Sequence, residues 1–309
     1  MPFLVKCRKE LLLFYRILLT VVVMTPVSVY GQQKKESLFL KKVQTLSQKW
    51  ELDAADRKGL FIITPYKPVF VTAGRKSDNP NVKPTSENPA YTLPFKVNYN
   101  KYEAKFQFSL KTKVLQGIFN HHADLWVAYT QKAHWQIYNA ELSRPFRELN
   151  YEPEVILNFP VRFSFLGLTA RMAGISFNHQ SNGKTLPLSR SWNRIIGHVA
   201  FERNSFHMML RGWYRIPDEE DENPLIADFT GRGEGVFVYN IGKHQVSLIA
   251  ASGLRPAHPG RGSVQFSWIF PIVNNFRGQL QIGDGYGETL MDYNHTQATI
   301  GLSVSLIDW

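Results

Sequence analysis

The chain has 309 residues, of which 44% are hydrophobic and 13% aromatic, and its formal charge is +11. Beyond the N-terminus no apolar run reaches the ~18 residues that a membrane-crossing helix needs, so any role in a membrane must use strands. The Lys and Arg residues are scattered and accompany no helical or zinc-binding recognition motif. The charge therefore suits anionic headgroups or lipopolysaccharide, and nucleic acid is not expected as a partner.

At the N-terminus, Lys6, Arg8 and Lys9 precede a mostly apolar stretch over 11–29 and the small residue Gly31, the layout of a secretory signal peptide covering residues 1–31. Arg16 interrupts that stretch, and an uncleaved anchor would share the layout. Cleavage would remove Cys7, the only cysteine, with four basic residues and Glu10, taking the formal charge from +11 to +8. A cysteine-free exported chain of this size suits a large barrel better than a small disulfide-stapled domain.

In the segment 32–58, read as periplasmic and partly helical, Phe39, Val43, Leu46 and Trp50 recur at helical spacing and predict one short amphipathic helix that plugs or caps something. From about Leu60 the period becomes two, with turn-rich breaks near 76–89 and 218–223, so residues 59–309 form one all-β unit. The clearest strand covers 125–137, with Leu125, Val127, Tyr129, Ala133 and Trp135 on one parity and Trp126, Thr130, Lys132, His134 and Gln136 on the other. The last segment repeats this: Ala298, Ile300, Leu302, Val304 and Leu306 alternate with Gln297, Thr299, Gly301, Ser303 and Ser305, and the chain ends at Trp309.

A soluble β-sandwich also alternates, with its apolar face inward. Strands of about 9 to 12 residues favour a tilted membrane crossing over the usual globular strand of about 5 to 6. Aromatic residues near strand ends, at Tyr129, Trp135, Tyr138, Tyr151, Trp192 and Tyr293, read as interfacial girdles. The favoured fold is an all-β transmembrane antiparallel β-barrel with a short N-terminal amphipathic helix.

Candidate chemistry sits on one hairpin. Ala173, Ile175 and Phe177 lead at period two into His179 and Ser181, and Asn193 leads into Ile195, Val199 and Phe201. Residues i and i+2 of a strand share a face about 6.5–7 Å apart, so His179 and Ser181 can meet. If Phe177 pairs with Ile195, Asn193 lies opposite His179 and can accept the imidazole proton, giving a Ser-His-Asn triad. All three groups extend an apolar row, where polar groups are costly unless they satisfy one another or are used. Within the intervening loop, Gly183 leaves its amide accessible to an oxyanion, and hydroxyl and carbonyl oxygens could bind a hard cation such as Ca²⁺. Gln131 interrupts the apolar row of its strand, and an amide facing lipid wants a partner, such as its own copy across a two-fold axis. No Gly-x-Ser-x-Gly elbow occurs, which excludes an ordinary α/β-hydrolase. His121 and His122 lie beside a turn without other metal-ligand types, and the run 283–287 reads as a turn between the last two strands.

The segments His179-Gln180-Ser181-Asn182-Gly183 and Ser189-Arg190-Ser191-Trp192-Asn193-Arg194 resemble the signature of the outer-membrane phospholipase A family. Tyr129-Thr130-Gln131-Lys132, Pro145-Phe146-Arg147-Glu148, Asn150-Tyr151-Glu152-Pro153, Gly285-Tyr286-Gly287-Glu288 and Asp292-Tyr293-Asn294 match it in order, so the resemblance covers roughly residues 60–309. It implies a twelve-stranded barrel with the active site on its outer wall, at the level of the outer leaflet of the bacterial outer membrane. It also implies calcium-dependent hydrolysis of glycerophospholipid and lysophospholipid acyl esters, switched on by homodimerisation.

Under that resemblance Ser181 is the nucleophile, His179 the base, Asn193 its orienter and the Gly183 amide part of the oxyanion hole. Calcium ligands would come from Ser189 and position 184 of one protomer and Ser143 of the other, with Gln131 at the dimer interface. Lys184 stands where the family often has Arg, which is immaterial if the ligand is a backbone carbonyl. Glu222 would replace an Asp linked to a calcium site of the monomer. The alternatives are a catalytically silent outer-membrane barrel or pore, and a soluble secreted esterase.

Overall fold

The computed structural model describes residues 44–253, 261–273 and 276–309. The expected signal peptide, and Phe39 and Val43 of the expected helix, lie outside the described residues.

Twelve antiparallel strands make up the wall: β1 (Val69–Ser77), β2 (Tyr102–Gly117), β3 (Ala123–Trp135), β4 (Glu148–Phe165), β5 (Leu168–Ser181), β6 (Ser191–Arg203), β7 (Phe206–Ile216), β8 (Gly233–Ile241), β9 (His244–Ser252), β10 (Gly262–Val273), β11 (Phe276–Tyr286) and β12 (Thr296–Ile307). Each strand pairs with its chain neighbour, and β12 returns to β1 in a register that sets Leu302 opposite Gly74 and Val304 opposite Val71. Across a break at residues 66–68, Thr64–Pro65 prolongs the line of β1 by pairing with Lys111 and Leu110 of β2. Closure leaves no edge strand, the condition for a sheet to stand in hydrocarbon, where an unpaired backbone group finds no water.

Burial decides between the barrel and the sandwich. The apolar parity points outward: Val127 is 40% exposed, Phe177 49% and Leu302 60%. The polar parity points inward, so Glu103, Lys113, Glu154, Arg194 and Arg211 are buried. A water-soluble sandwich would reverse these faces.

The two rims differ. On one, β4–β5, β6–β7 and β8–β9 are joined by two residues each, with left-handed backbone at Leu166, Gly167, Asn204 and Gly242 matching tight hairpin turns. The other rim carries the long connections 78–101, 136–147, 182–190, 217–232 and 287–295. In outer-membrane barrels short turns face the periplasm and long loops the exterior, so the second rim is the outer one.

The short-turn rim is plugged from within by α1 (Leu46–Trp50). Thr45 opens it with a capping box: its Oγ1 accepts from the Gln48 amide at 3.1 Å, while Gln48 Oε1 accepts from the Thr45 amide at 3.2 Å. Leu46, Trp50 and Leu52 bury themselves among the inward residues Trp126, Ala128, Ile156, Met172 and Ala200, with Trp50 edge-on to Trp126 at 5.5 Å. Glu51 meets Lys113 at 3.0 Å, and Lys113 meets Asp124 at 2.9 Å. These ions are screened from water, so each needs its partner.

Three readings of the sequence are corrected. Trp192 is not a girdle residue: it has even parity in β6, faces inward, and stacks under the Arg194 guanidinium at 4.0 Å. Tyr293 is buried beneath the outer loops, where its hydroxyl bonds to Glu87. Residues 283–286 continue β11, so the turn begins only at Gly287.

Trp50→Ala is expected to destabilise the barrel by about 3 kcal/mol through the cavity left against Trp126, measured as urea unfolding in detergent micelles. Unchanged unfolding would mean that the plug does not support the wall.

Candidate functional site

The hairpin β5–β6 rises to the outer rim. Its register pairs Phe177 with Ile195, His179 with Asn193 and Ser181 with Ser191, the pairing that the alternation anticipated. From 173 to 181 in β5 and from 191 to 199 in β6 the odd residues form the outward row, so His179, Ser181 and Asn193 emerge on the lipid-facing wall.

His179 Nδ1 lies 2.8 Å from Asn193 Oδ1. A carbonyl oxygen only accepts, so Nδ1 carries the proton and Nε2 is left as the acceptor, the tautomer a general base needs. Ser181 stands two residues along on the same face.

The loop 182–190 follows. Gly183 takes φ +64°, and a Cβ there would come within 3.1 Å of the Tyr151 ring, so backbone conformation and crowding both call for glycine. Burial lowers the pKa of the Lys184 ammonium, and attraction from Glu148 acts against that shift. Arg190 is fully buried and fastens this loop to its neighbour, donating to the carbonyls of Thr85 at 3.1 Å and Tyr91 at 2.8 Å as well as to Ser189 at 2.7 Å.

Ser189 Oγ donates to Glu222 Oε1 at 2.5 Å, across from the 217–232 connection. The other oxygen, Glu222 Oε2, is buried without a hydrogen-bond partner among the described residues. A hydroxyl and a half-satisfied carboxylate on carbonyl-rich loops are hard oxygen donors, which fit Ca²⁺ and not a soft metal. Ser143 lies apart on the 136–147 connection, where its carbonyl accepts from Trp135 Nε1 at 2.6 Å.

Gln131, Tyr151, Ser181 and Ser191 form one continuous row across β3, β4, β5 and β6. Tyr129 Oη donates to Gln131 Oε1 at 3.1 Å, while the Gln131 NH₂ has no acceptor among the described residues.

The site and wall have counterparts in known proteins. The sequence pattern of the phospholipase A1 family matches residues 46–306. The chain belongs to that family. Similar proteins include a putative phospholipase A1 of Neisseria meningitidis, 36% identical over 85% of this chain and 70% of that protein. Phospholipase A1 of Escherichia coli is 33% identical over 80% of this chain and 82% of its own length. The crystal structure of the Salmonella typhi outer membrane phospholipase, a dimer with bound calcium, superposes with a TM-score of 0.72 at 31% identity, covering 83% of this chain and 95% of that one. Outer membrane phospholipase A from Escherichia coli gives a TM-score of 0.70 at 31% identity, covering 80% and 94%. The barrel is thus of the outer-membrane type.

Sequence reasoning placed His179, Ser181, Asn193 and Gly183 from parity and turn chemistry. It missed the contact between Ser189 and Glu222, and the crowding of Gly183 by Tyr151, because both join segments that share no periodicity.

Asn193→Ala would leave His179 Nδ1 without its acceptor. A hydrogen bond to a charged group contributes about 1.5–3 kcal/mol, so kcat for micellar phospholipid should fall by about ten- to a hundredfold with folding unchanged. Unaltered kcat would remove Asn193 from the machinery.

Proposed function

We propose that the chain hydrolyses acyl ester bonds of glycerophospholipids and lysophospholipids at the outer membrane, using Ser181, His179 and Asn193, with calcium, as a homodimer. The observation that carries this reading is the 2.8 Å contact between His179 and Asn193 beside Ser181 on the lipid-facing wall.

As Ser181 Oγ attacks the ester carbonyl carbon, its proton passes to His179 Nε2. The Gly183 amide donates to the oxyanion of the tetrahedral intermediate. Collapse breaks the bond to the glycerol oxygen, which leaves with the proton from His179. Water then attacks the acyl-enzyme with His179 again as base, releasing the fatty acid and restoring Ser181. Asn193 holds the ring in its Nδ1–H tautomer throughout. As a neutral amide it is far less costly than a carboxylate at a wall facing hydrocarbon.

Calcium, when bound, adds positive charge near the developing oxyanion. Ser189 and the carbonyl of Lys184 would hold it, with Ser143 supplied by the second copy, while Glu222, bonded to Ser189, would serve the calcium site of the monomer. The unpartnered Gln131 NH₂, in line with Ser181, supports a dimer formed along β3. Residues 1–31 act as the export signal in this reading. The pore alternative is disfavoured by the α1 plug and the ion-paired lumen.

In mixed phospholipid–detergent micelles, Ser181→Ala is expected to lower fatty-acid release by several orders of magnitude, and a calcium chelator should silence the parent protein reversibly. Turnover that survives in folded Ser181→Ala protein rules out the serine mechanism. Gln131→Ala should weaken chemical crosslinking of the dimer and activity together at fixed calcium. Full crosslinking in that variant places the interface elsewhere.

A further inference from the structure

The geometry points to Asn182 as the positioning residue that sets the oxyanion donor and the Ser189 hydroxyl together, with Glu148 as its anchor. Asn182 stands between Ser181 and Gly183 but has the opposite parity, so its side chain turns into the barrel and is almost wholly buried.

All of its hydrogen-bonding capacity is used. Oδ1 accepts from the amides of Lys184 at 3.2 Å and Arg190 at 3.0 Å. Nδ2 donates to the Leu188 carbonyl at 2.8 Å and to Glu148 Oε1 at 3.3 Å. The Asn182 backbone amide adds a bond to the Arg190 carbonyl at 3.0 Å.

The pattern of partners is what matters. Asn182 and Lys184 flank Gly183, and Leu188 and Arg190 flank Ser189, so one amide side chain contacts the neighbours of both groups. The backbone that carries the Gly183 N–H and the backbone from which the Ser189 side chain projects are thereby fixed relative to each other. Glu148 fixes Asn182 in turn. It is fully buried at the start of β4 and also accepts from Asn150 Nδ2 at 2.9 Å and from the Met291 amide at 3.2 Å, which ties it to the wall and to the 287–295 connection. Fully satisfied buried networks of this kind rigidify what they hold.

This inference rests on the reading of Ser181 as nucleophile and Gly183 as oxyanion donor. A displacement of about 1 Å at such a donor costs about a hundredfold in rate without weakening ground-state binding.

The test uses the full-length protein in phospholipid micelles at saturating calcium. Asn182→Ala should lower kcat by about a hundredfold, leave KM within about twofold, and raise the calcium concentration for half-maximal activity, with heat-modifiable migration and crosslinking retained. Asn182→Asp keeps the acceptor contacts but sets a carboxylate oxygen against both Glu148 and the Leu188 carbonyl, and should also be impaired. Adding Glu148→Gln to that variant restores a donor–acceptor pair and should recover at least about tenfold of the lost kcat, a coupling that a purely structural role would not produce. If Asn182→Ala does not fold, the comparison of N182D with N182D/E148Q decides the matter. Wild-type kcat in Asn182→Ala, or no recovery in the double variant, overturns the inference. Ser181→Ala in the same assay separates the two readings: activity there sinks the triad, whereas an inactive Ser181→Ala beside a fully active Asn182→Ala sinks only the positioning role.

Discussion

The outer wall of this barrel borders hydrocarbon, and that one constraint organises the rest. A polar group on the wall has no water to fall back on, so it must be partnered, lie near the rim or be used. Closure of β12 onto β1 satisfies the backbone, and the apolar parity satisfies lipid. What remains polar on the outer face near the hairpin is a short row, Gln131, Tyr151, Ser181 and Ser191, with His179 and Asn193 beneath it. The density of polar groups there is a signature of function because lipid penalises it elsewhere.

The same constraint turns the interior inside out relative to a soluble protein. Ion pairs such as Lys113 with Glu51 and Asp124, and Arg211 with Glu154 and Glu234, fill a lumen that a soluble domain would fill with Leu and Val. Such pairs owe their worth to mutual satisfaction more than to net stabilisation, since desolvation offsets much of the attraction. Their consequence is rigidity directly behind the wall that carries His179, Ser181 and Asn193. Glu148, Asn182 and Arg190 are buried with this interior system while Ser181 and Ser191, the chain neighbours of Asn182 and Arg190, belong to the outward row, so a stiff polar scaffold lies directly behind that row. Even Asn193 beside His179 follows, because a neutral amide suits a face where a carboxylate would be expensive.

Much of the site was legible before any coordinates. Period-two alternation assigns each strand residue to a face, so the apolar rows flanking His179 and Asn193 exclude a one-residue slip, while the pairing of Phe177 with Ile195 itself is decided by the structure. The same rule, applied fully, would have turned Trp192 inward, since it alternates with Asn193. Reading it as a girdle aromatic weighted residue type above parity. Tyr293 was misplaced for a different reason: it lies in a loop, where no period constrains direction, and it folds beneath its neighbours to bond Glu87.

The sequence by itself determined the fold class and the outward direction of His179, Ser181 and Asn193, because these follow from local alternation within one hairpin. Only the tertiary structure decided that Ser189 meets Glu222, that the Tyr151 ring crowds Gly183, that Asn182 gathers both ends of its loop onto Glu148, and that α1 seats Trp50 against Trp126. Those contacts join segments far apart in the chain. Ring closure and loop packing bring them together, and neither leaves a periodic trace in the residues involved.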